Sequence, residues 1–76
     1  MEEKLKELAT QYCDVPAGDM TAELRFREDM RFSSLDFMSF LGELEDAFDV
    51  EVDEEEVLKI QTMGEALDYL KSLTGQ

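Results

Sequence analysis

The chain of 76 residues contains no histidine and no tryptophan, and it has one cysteine and one proline. Without histidine a Ser-His-Asp triad cannot form, and the Cys/His ligand sets of zinc sites are absent as well. Cys13 has no partner for an intramolecular disulfide, and we expect it to be a small buried thiol beside an apolar helix face. The composition therefore argues against an ordinary hydrolase, a Cys/His zinc site and a disulfide framework.

Positive charge is also scarce, with 7 Lys and Arg against 20 Asp and Glu and a net charge of −13. Such a chain repels nucleic acid and anionic membranes, so the expected partner is a protein with a basic surface. No apolar run approaches membrane-spanning length, and no basic segment precedes an apolar one at the N-terminus. We therefore expect one small cytoplasmic domain over residues 1–76, without stable membrane association.

Apolar residues at helical spacing predict an all-α domain, a small four-helix bundle with three major helices and a short third helix. The first helix has Leu5, Leu8, Ala9 and Tyr12 on one face and should end by Asp14, because Pro16 follows. From there to Phe32 we expect a long structured loop that helps to close the core, with room for a helical turn around residues 21–24. Its scattered apolar side chains are Val15, Met20, Leu24, Phe26, Met30 and Phe32.

The second helix carries two separate apolar sets. A wide stripe predicts the core face and consists of Phe37, Phe40, Leu41, Leu44 and Phe48. Leu35 and Met38 lie on another flank and predict a modest exposed patch rimmed by acids, a candidate contact for another protein. The alternative is that the preceding loop covers these two side chains.

Capping signals mark the starts of the later helices. Ser33 with Asp36 three residues on, and Thr62 with Glu65, both have the spacing of a capping box. Ser33 is then the N-cap, and Ser34 is the first helical residue. Its hydroxyl lies at the positive end of the helix dipole, where an attached phosphate ester would be favoured.

Of the last two helices, the third is short and the fourth has a single apolar repeat. Asp53 can cap the short third helix, with Val57 and Ile60 facing inward. The last helix should end at Gly75. Its apolar repeat is Met63, Ala66, Leu67, Leu70 and Leu73.

An acidic run from Asp49 to Asp53 resembles the beginning of an EF-hand loop, with oxygen ligands at alternate positions. The sixth position is Glu54 where that loop needs glycine, and the twelfth is Ile60 where it needs glutamate. We therefore predict no metal site, although weak divalent-cation binding would relieve the self-repulsion. A calcium sensor stays an alternative that tight, stoichiometric calcium binding would reveal.

From about Met20 to Leu73 the chain resembles the acyl carrier protein family. Ser33-Ser34-Leu35-Asp36 occupies the family's Asp-Ser-Leu-Asp motif at the start of the second helix, after a Phe26–Met30 block that also matches. Residues 43–49 follow where the family has an acidic stretch ending in phenylalanine, and here they contain Phe48. Further matches to the family's third and fourth helices cover residues 54–63 and 66–70.

This resemblance implies a monomeric carrier with no catalytic residue of its own. Ser34 would accept phosphopantetheine from coenzyme A through a phosphopantetheinyl transferase, and the arm would hold acyl groups as thioesters. Biosynthetic enzymes with basic patches, of fatty-acid or polyketide type, would dock at the second helix. The docking residues implied are Leu35, Asp36, Met38, Glu45 and Asp46.

The chain also departs from the family pattern. Ser33 stands where the family has aspartate, and Arg31 and Phe32 replace small residues. Ser39 and Gly42 replace an acid and a large apolar residue on the docking flank. These departures suggest a carrier specialised for one acyl chain or biosynthetic cluster. An aminoacyl or peptidyl carrier and an unmodified acidic interaction domain are the alternatives.

Overall fold

The computed structural model describes residues 2–75, and within that range it contains four α-helices and one short 3₁₀ helix. The α-helices are α1 (Glu2–Ala9), α2 (Ser34–Phe48), α3 (Glu54–Val57) and α4 (Met63–Thr74), and the 3₁₀ helix covers Ala17–Asp19. No β-strand is present between residues 2 and 75, where the sole sheet-like pairing is an isolated antiparallel bridge between Arg25 and Thr62. The predicted all-α four-helix domain is confirmed.

The core is built from all four helices and from the long loop between α1 and α2. An aromatic cluster lies at its centre, where the ring of Phe26 has its centroid 5.3 to 5.5 Å from those of Phe32, Phe37 and Phe40. Phe26 and Phe32 come from the loop and are buried, as are Met20 and Met30. The expectation that this loop closes the core is therefore confirmed.

The first helix is shorter than its apolar pattern suggests. After Ala9 the backbone changes to 3₁₀-type turns, in which the amides of Gln11 and Tyr12 donate to the carbonyls three residues before them. Tyr12 consequently leaves the helix, and its hydroxyl donates to Glu43 Oε2 on α2 at 2.8 Å. Cys13 is only half-buried, with Sγ 3.4 Å from the carbonyl of Ala9, so the expectation of a buried thiol is corrected.

The loop is fastened to the start of α4 by backbone hydrogen bonds. Phe26 N donates to Gln61 O at 2.9 Å, and Met63 N donates to Leu24 O at 2.9 Å. Gly64 N also donates to Ala22 O, and a Cβ at Gly64 would lie 3.0 Å from that carbonyl oxygen. Glycine at position 64 therefore permits the close approach of the two segments.

In α4 the side chains of Met63, Ala66 and Leu70 are buried, as predicted. Leu73, the last member of the apolar repeat, is 37% exposed because it lies on the last turn of α4. Gly75 ends the helix with a φ of 79°. Two residues other than glycine also adopt left-handed backbone, Arg31 with φ 59° and Asp49 with φ 52°.

Candidate functional site

The start of α2 is fixed by the predicted capping box. Ser33 Oγ accepts from Asp36 N, and Asp36 Oδ2 accepts from Ser33 N, both at 3.1 Å. Phe32 before the cap and Phe37 in the first turn are both buried against Phe26, which further fixes the direction of the chain. The N-cap hydroxyl of Ser33 is thus turned towards the helix and engaged there.

Ser34 presents the other hydroxyl of the pair to solvent. It is the first residue of α2 and is exposed, and its Oγ accepts a hydrogen bond from Arg27 Nη2 at 3.4 Å. The backbone N–H groups of the first helical turn surround this position with partial positive charge. An oxygen nucleophile at Ser34 is therefore accessible, and a negatively charged group attached to it would be stabilised.

A cavity of about 420 Å³ opens beside Ser34, between the loop, α2, α3 and the segment that follows α3. Its volume lies within the range of small-molecule sites in proteins. Apolar side chains dominate its wall, namely Phe26, Phe37, Met38, Val57, Leu58 and Ile60. The polar part of the wall consists of Ser34, Gln61 and three loop residues, Arg25, Arg27 and Glu28.

The two arginines at this cavity differ in their pairing. The Arg25 guanidinium is paired with Glu28, and that hydrogen bond raises the pKa of Arg25 above its usual value. Arg27 has no carboxylate within salt-bridge distance anywhere in residues 2–75. Arg27 is therefore the cation available to a group on Ser34.

The residues predicted for partner docking fall into two groups. Leu35 and Met38 are 79% and 53% exposed, and Asp46 is exposed as well, so these three side chains face solvent on α2. Asp36 and Glu45 also support the fold: Asp36 completes the capping box, and Glu45 Oε2 accepts from Val52 N at 3.2 Å. The alternative that the loop covers Leu35 and Met38 is wrong.

The acidic run after α2 forms no metal centre within residues 2–75, where no three acidic or thiol side chains are placed to share an ion. Asp53 instead caps α3, accepting from Glu55 N at 2.9 Å. Val50 and Val52 lie between these acids, are half-buried and pack against the core. No helix between residues 2 and 75 is long and apolar enough to cross a membrane.

Comparison with known proteins explains this arrangement. The family described as "Phosphopantetheine attachment site" matches residues 3–70. The chain belongs to the acyl carrier protein family. It is 40% identical over 68 residues to the acyl carrier protein of Rubrobacter xylanophilus, covering 90% of this chain and 84% of that protein. The corresponding protein of Lactobacillus johnsonii is 32% identical over 69 residues, covering 91% and 86%.

Solved structures agree with the sequence relatives. The structure of the acyl carrier protein from Enterococcus faecalis superposes with a TM-score of 0.84 at 33% identity, covering 95% of this chain and 91% of that one. Membership of this family makes the protein a carrier and not an enzyme, and its cofactor is covalently attached phosphopantetheine. The residues around Ser34 fit that group, because they provide an exposed hydroxyl, the guanidinium of Arg27 and an adjoining cavity with a mainly apolar wall.

Sequence reasoning found the two serines but missed two parts of their surroundings. The contact between Arg27 and Ser34 joins an irregular loop to a helix, and no periodic pattern connects the two positions. Leu58, 80% exposed on the rim of the cavity, was also missed. It follows Val57 directly, and only the inward-facing residues of α3 produce a pattern in the sequence.

Proposed function

We propose that Ser34 is the attachment residue for phosphopantetheine, and that this carrier serves fatty-acid or polyketide-type biosynthesis. The single observation that supports Ser34 over Ser33 is the capping box. Ser33 Oγ accepts from Asp36 N at 3.1 Å within the cap, whereas Ser34 Oγ lies outside the cap and accepts from Arg27 Nη2 at 3.4 Å. Only Ser34 can thus react without breaking a helix cap.

The attached arm supplies a terminal thiol that holds an acyl group as a thioester. The protein's own part is to present Ser34 at a rigid helix start and to offer a partner enzyme a recognisable surface beside it. The cavity next to Ser34 has a mainly apolar wall, which supports a role in shielding a hydrocarbon chain. Met38 in that wall is unbranched and adaptable, so acyl chains of different shape could be accommodated.

Intact-mass spectrometry after incubation with coenzyme A, magnesium and a promiscuous phosphopantetheinyl transferase tests the attachment residue. We expect one phosphopantetheine addition on the native protein and on Ser33→Ala, and none on Ser34→Ala. Ser33→Ala should be less stable by ~1 kcal/mol because it loses the cap, while Ser34→Ala should keep the native stability. Circular dichroism establishes that both variants are folded.

Loading that survives in Ser34→Ala and disappears in Ser33→Ala would move the attachment to the other serine. No addition to the native protein with transferases from several sources would favour the unmodified interaction domain.

The departure from the family motif at Ser33 supports a specialised carrier. Ser33→Asp, which keeps an N-cap oxygen and adds the charge that the family has there, should be loaded faster by a general transferase.

We further propose that partner enzymes dock on Leu35, Met38 and Asp46, with Asp36 and Glu45 adding negative charge to the same face. The exposure of these apolar side chains beside Ser34 and the surplus of acids on α2 support a partner with a basic, partly apolar patch. The monomeric state belongs to the same proposal, because a self-associated α2 face would be blocked to enzymes.

Leu35→Ala and Leu58→Ala provide a matched test, since the two leucines are 79% and 80% exposed, Leu35 on α2 and Leu58 directly after the end of α3. We expect Leu35→Ala to lower the kcat/KM of transferase loading about tenfold, the effect of losing an interface anchor worth ~1.4 kcal/mol. Leu58→Ala should change it less than twofold. Equal effects of the two substitutions would argue against α2 as the docking helix.

A further inference from the structure

Arg27 has no carboxylate within salt-bridge distance among residues 2–75, although acids dominate the chain. The chain has 7 basic and 20 acidic residues. The side chain of Arg27 nevertheless lies against a neutral hydroxyl, with Nη2 3.4 Å from Ser34 Oγ. Its neighbour Arg25 is paired with Glu28. Since no carboxylate in residues 2–75 lies within salt-bridge distance of Arg27, its charge is available to an anion that Ser34 itself would carry.

Residues 26–32, the part of the long loop that bears Arg27, are closed by a hydrogen bond and attached to the rest of the domain. Phe32 N donates to Phe26 O at 2.8 Å, which closes the loop, and Phe26 N is bonded to Gln61 O. Arg25 N also donates to Asp29 Oδ2 at 2.8 Å, and the amides of Asp29 and Met30 both donate to the carbonyl of Arg25. The side chain of Phe26 is buried. The backbone of residue 27 therefore has a fixed position relative to the start of α2.

We propose that Arg27 is a positioning residue that pairs with the phosphodiester on Ser34 and holds the beginning of the arm at the mouth of the adjoining cavity. This inference rests on the proposed attachment to Ser34. Once Ser34 Oγ is an ester oxygen, the phosphorus beside it carries two non-bridging oxygens that share one negative charge. A guanidinium can donate to both of them through its planar fork.

The side chains around Ser34 suit this role. Arg27 lines the cavity together with Phe37 and Met38. An arm that is attached to Ser34 and paired with Arg27 therefore starts out towards the cavity. Ser33, where the family has aspartate, adds no negative charge that would compete with the phosphodiester for Arg27. The structure therefore favours an arm that begins along the cavity over one that extends freely from α2.

The test compares the apo and holo forms of the native protein, Arg27→Gln, Arg27→Lys and Arg31→Gln. Arg31→Gln is the matched control, because it removes the same charge from the same loop, whereas Arg31 lines a different cavity near Cys13. Intact mass establishes loading on Ser34, and urea unfolding gives the folding equilibrium constant of each form. Phosphorus-31 NMR of the holo proteins reports directly on the phosphodiester at several salt concentrations.

We expect attachment of the arm to raise the folding equilibrium constant roughly two- to fivefold more in the native protein than in Arg27→Gln, the range of an exposed ion pair. The phosphorus resonance should shift in Arg27→Gln but not in Arg31→Gln. In the native protein it should move towards the Arg27→Gln position as salt screens the pair. Arg27→Lys should restore only part of both effects, because an ammonium lacks the planar fork.

Identical phosphorus resonances and identical holo-minus-apo stabilities in the native protein and Arg27→Gln would overturn the proposal. Slower loading of Arg27→Gln with unchanged holo properties would also overturn it, and would make Arg27 a contact for the transferase. If Ser34 takes no arm at all, the attachment proposal fails together with this one. Loading on Ser34 without any effect of Arg27 refutes the pairing alone.

Discussion

Leu44 and Leu35 lie on the same helix, and replacing each by alanine measures how much burial of a leucine contributes to the free energy of unfolding. Both lie in α2, but Leu44 is 1% exposed and Leu35 is 79% exposed. Leu→Ala at either position changes helix propensity in the same slightly favourable direction. The difference between the two variants therefore isolates the loss of core packing.

The expected magnitudes are far apart. Leu44→Ala should lower the free energy of unfolding by ~2–5 kcal/mol, the usual range for a buried leucine that leaves a cavity. A domain of 76 residues has a total stability of roughly 4–11 kcal/mol, so this single change removes a large part of it. Leu35→Ala should stay within about 0.5 kcal/mol of the native protein.

Urea unfolding followed by far-ultraviolet circular dichroism measures both variants against the native protein. In thermal unfolding, each kcal/mol corresponds to a shift in Tm of about 4–8 °C for a domain of this size, so the variants should separate clearly. A loss above about 1 kcal/mol in Leu35→Ala, or equal losses in both, would refute the division of α2 into a core face and an exposed face. Loading assays on the same samples then separate docking from stability.

Two other substitutions test local contacts. Asp49→Gly should raise the free energy of unfolding by ~0.5–1 kcal/mol, because Asp49 adopts left-handed backbone with φ 52° and places a negative charge at the C-terminus of α2. Asp49→Asn removes only the charge, and urea unfolding that shows no gain in either variant would contradict this reasoning. Tyr12→Phe should lower Tm at neutral pH, because the hydroxyl of Tyr12 donates to Glu43 at 2.8 Å. That hydrogen bond raises the pKa of Tyr12, so its stabilisation is complete below pH ~10 and is lost as pH rises through the folded-state pKa. Thermal melts should therefore show the native protein and Tyr12→Phe converging in strongly alkaline buffer, and a constant difference would argue against the bond.

The features that depend on neighbouring residues could be predicted from the sequence. The two capping boxes join residues three positions apart, and the apolar stripe of α2 repeats at helical spacing, so both are local consequences of helix geometry. They are sufficient to predict four helices, to separate Leu35 and Met38 from the core, and to place Ser33 at the N-cap with Ser34 as the first helical residue.

The tertiary structure decided what depends on distant residues. Tyr12 continues the apolar pattern of α1, yet it leaves the helix to bond Glu43, 31 positions away. The course of the long loop is fixed by hydrogen bonds to Gln61 and Met63, which no local pattern reveals. The same loop places Arg27 against Ser34. The sequence thus determined the capping box and with it the position of Ser34 at the start of α2, whereas the hydrogen bonds of the loop to Gln61 and Met63 decided which charge lies beside Ser34.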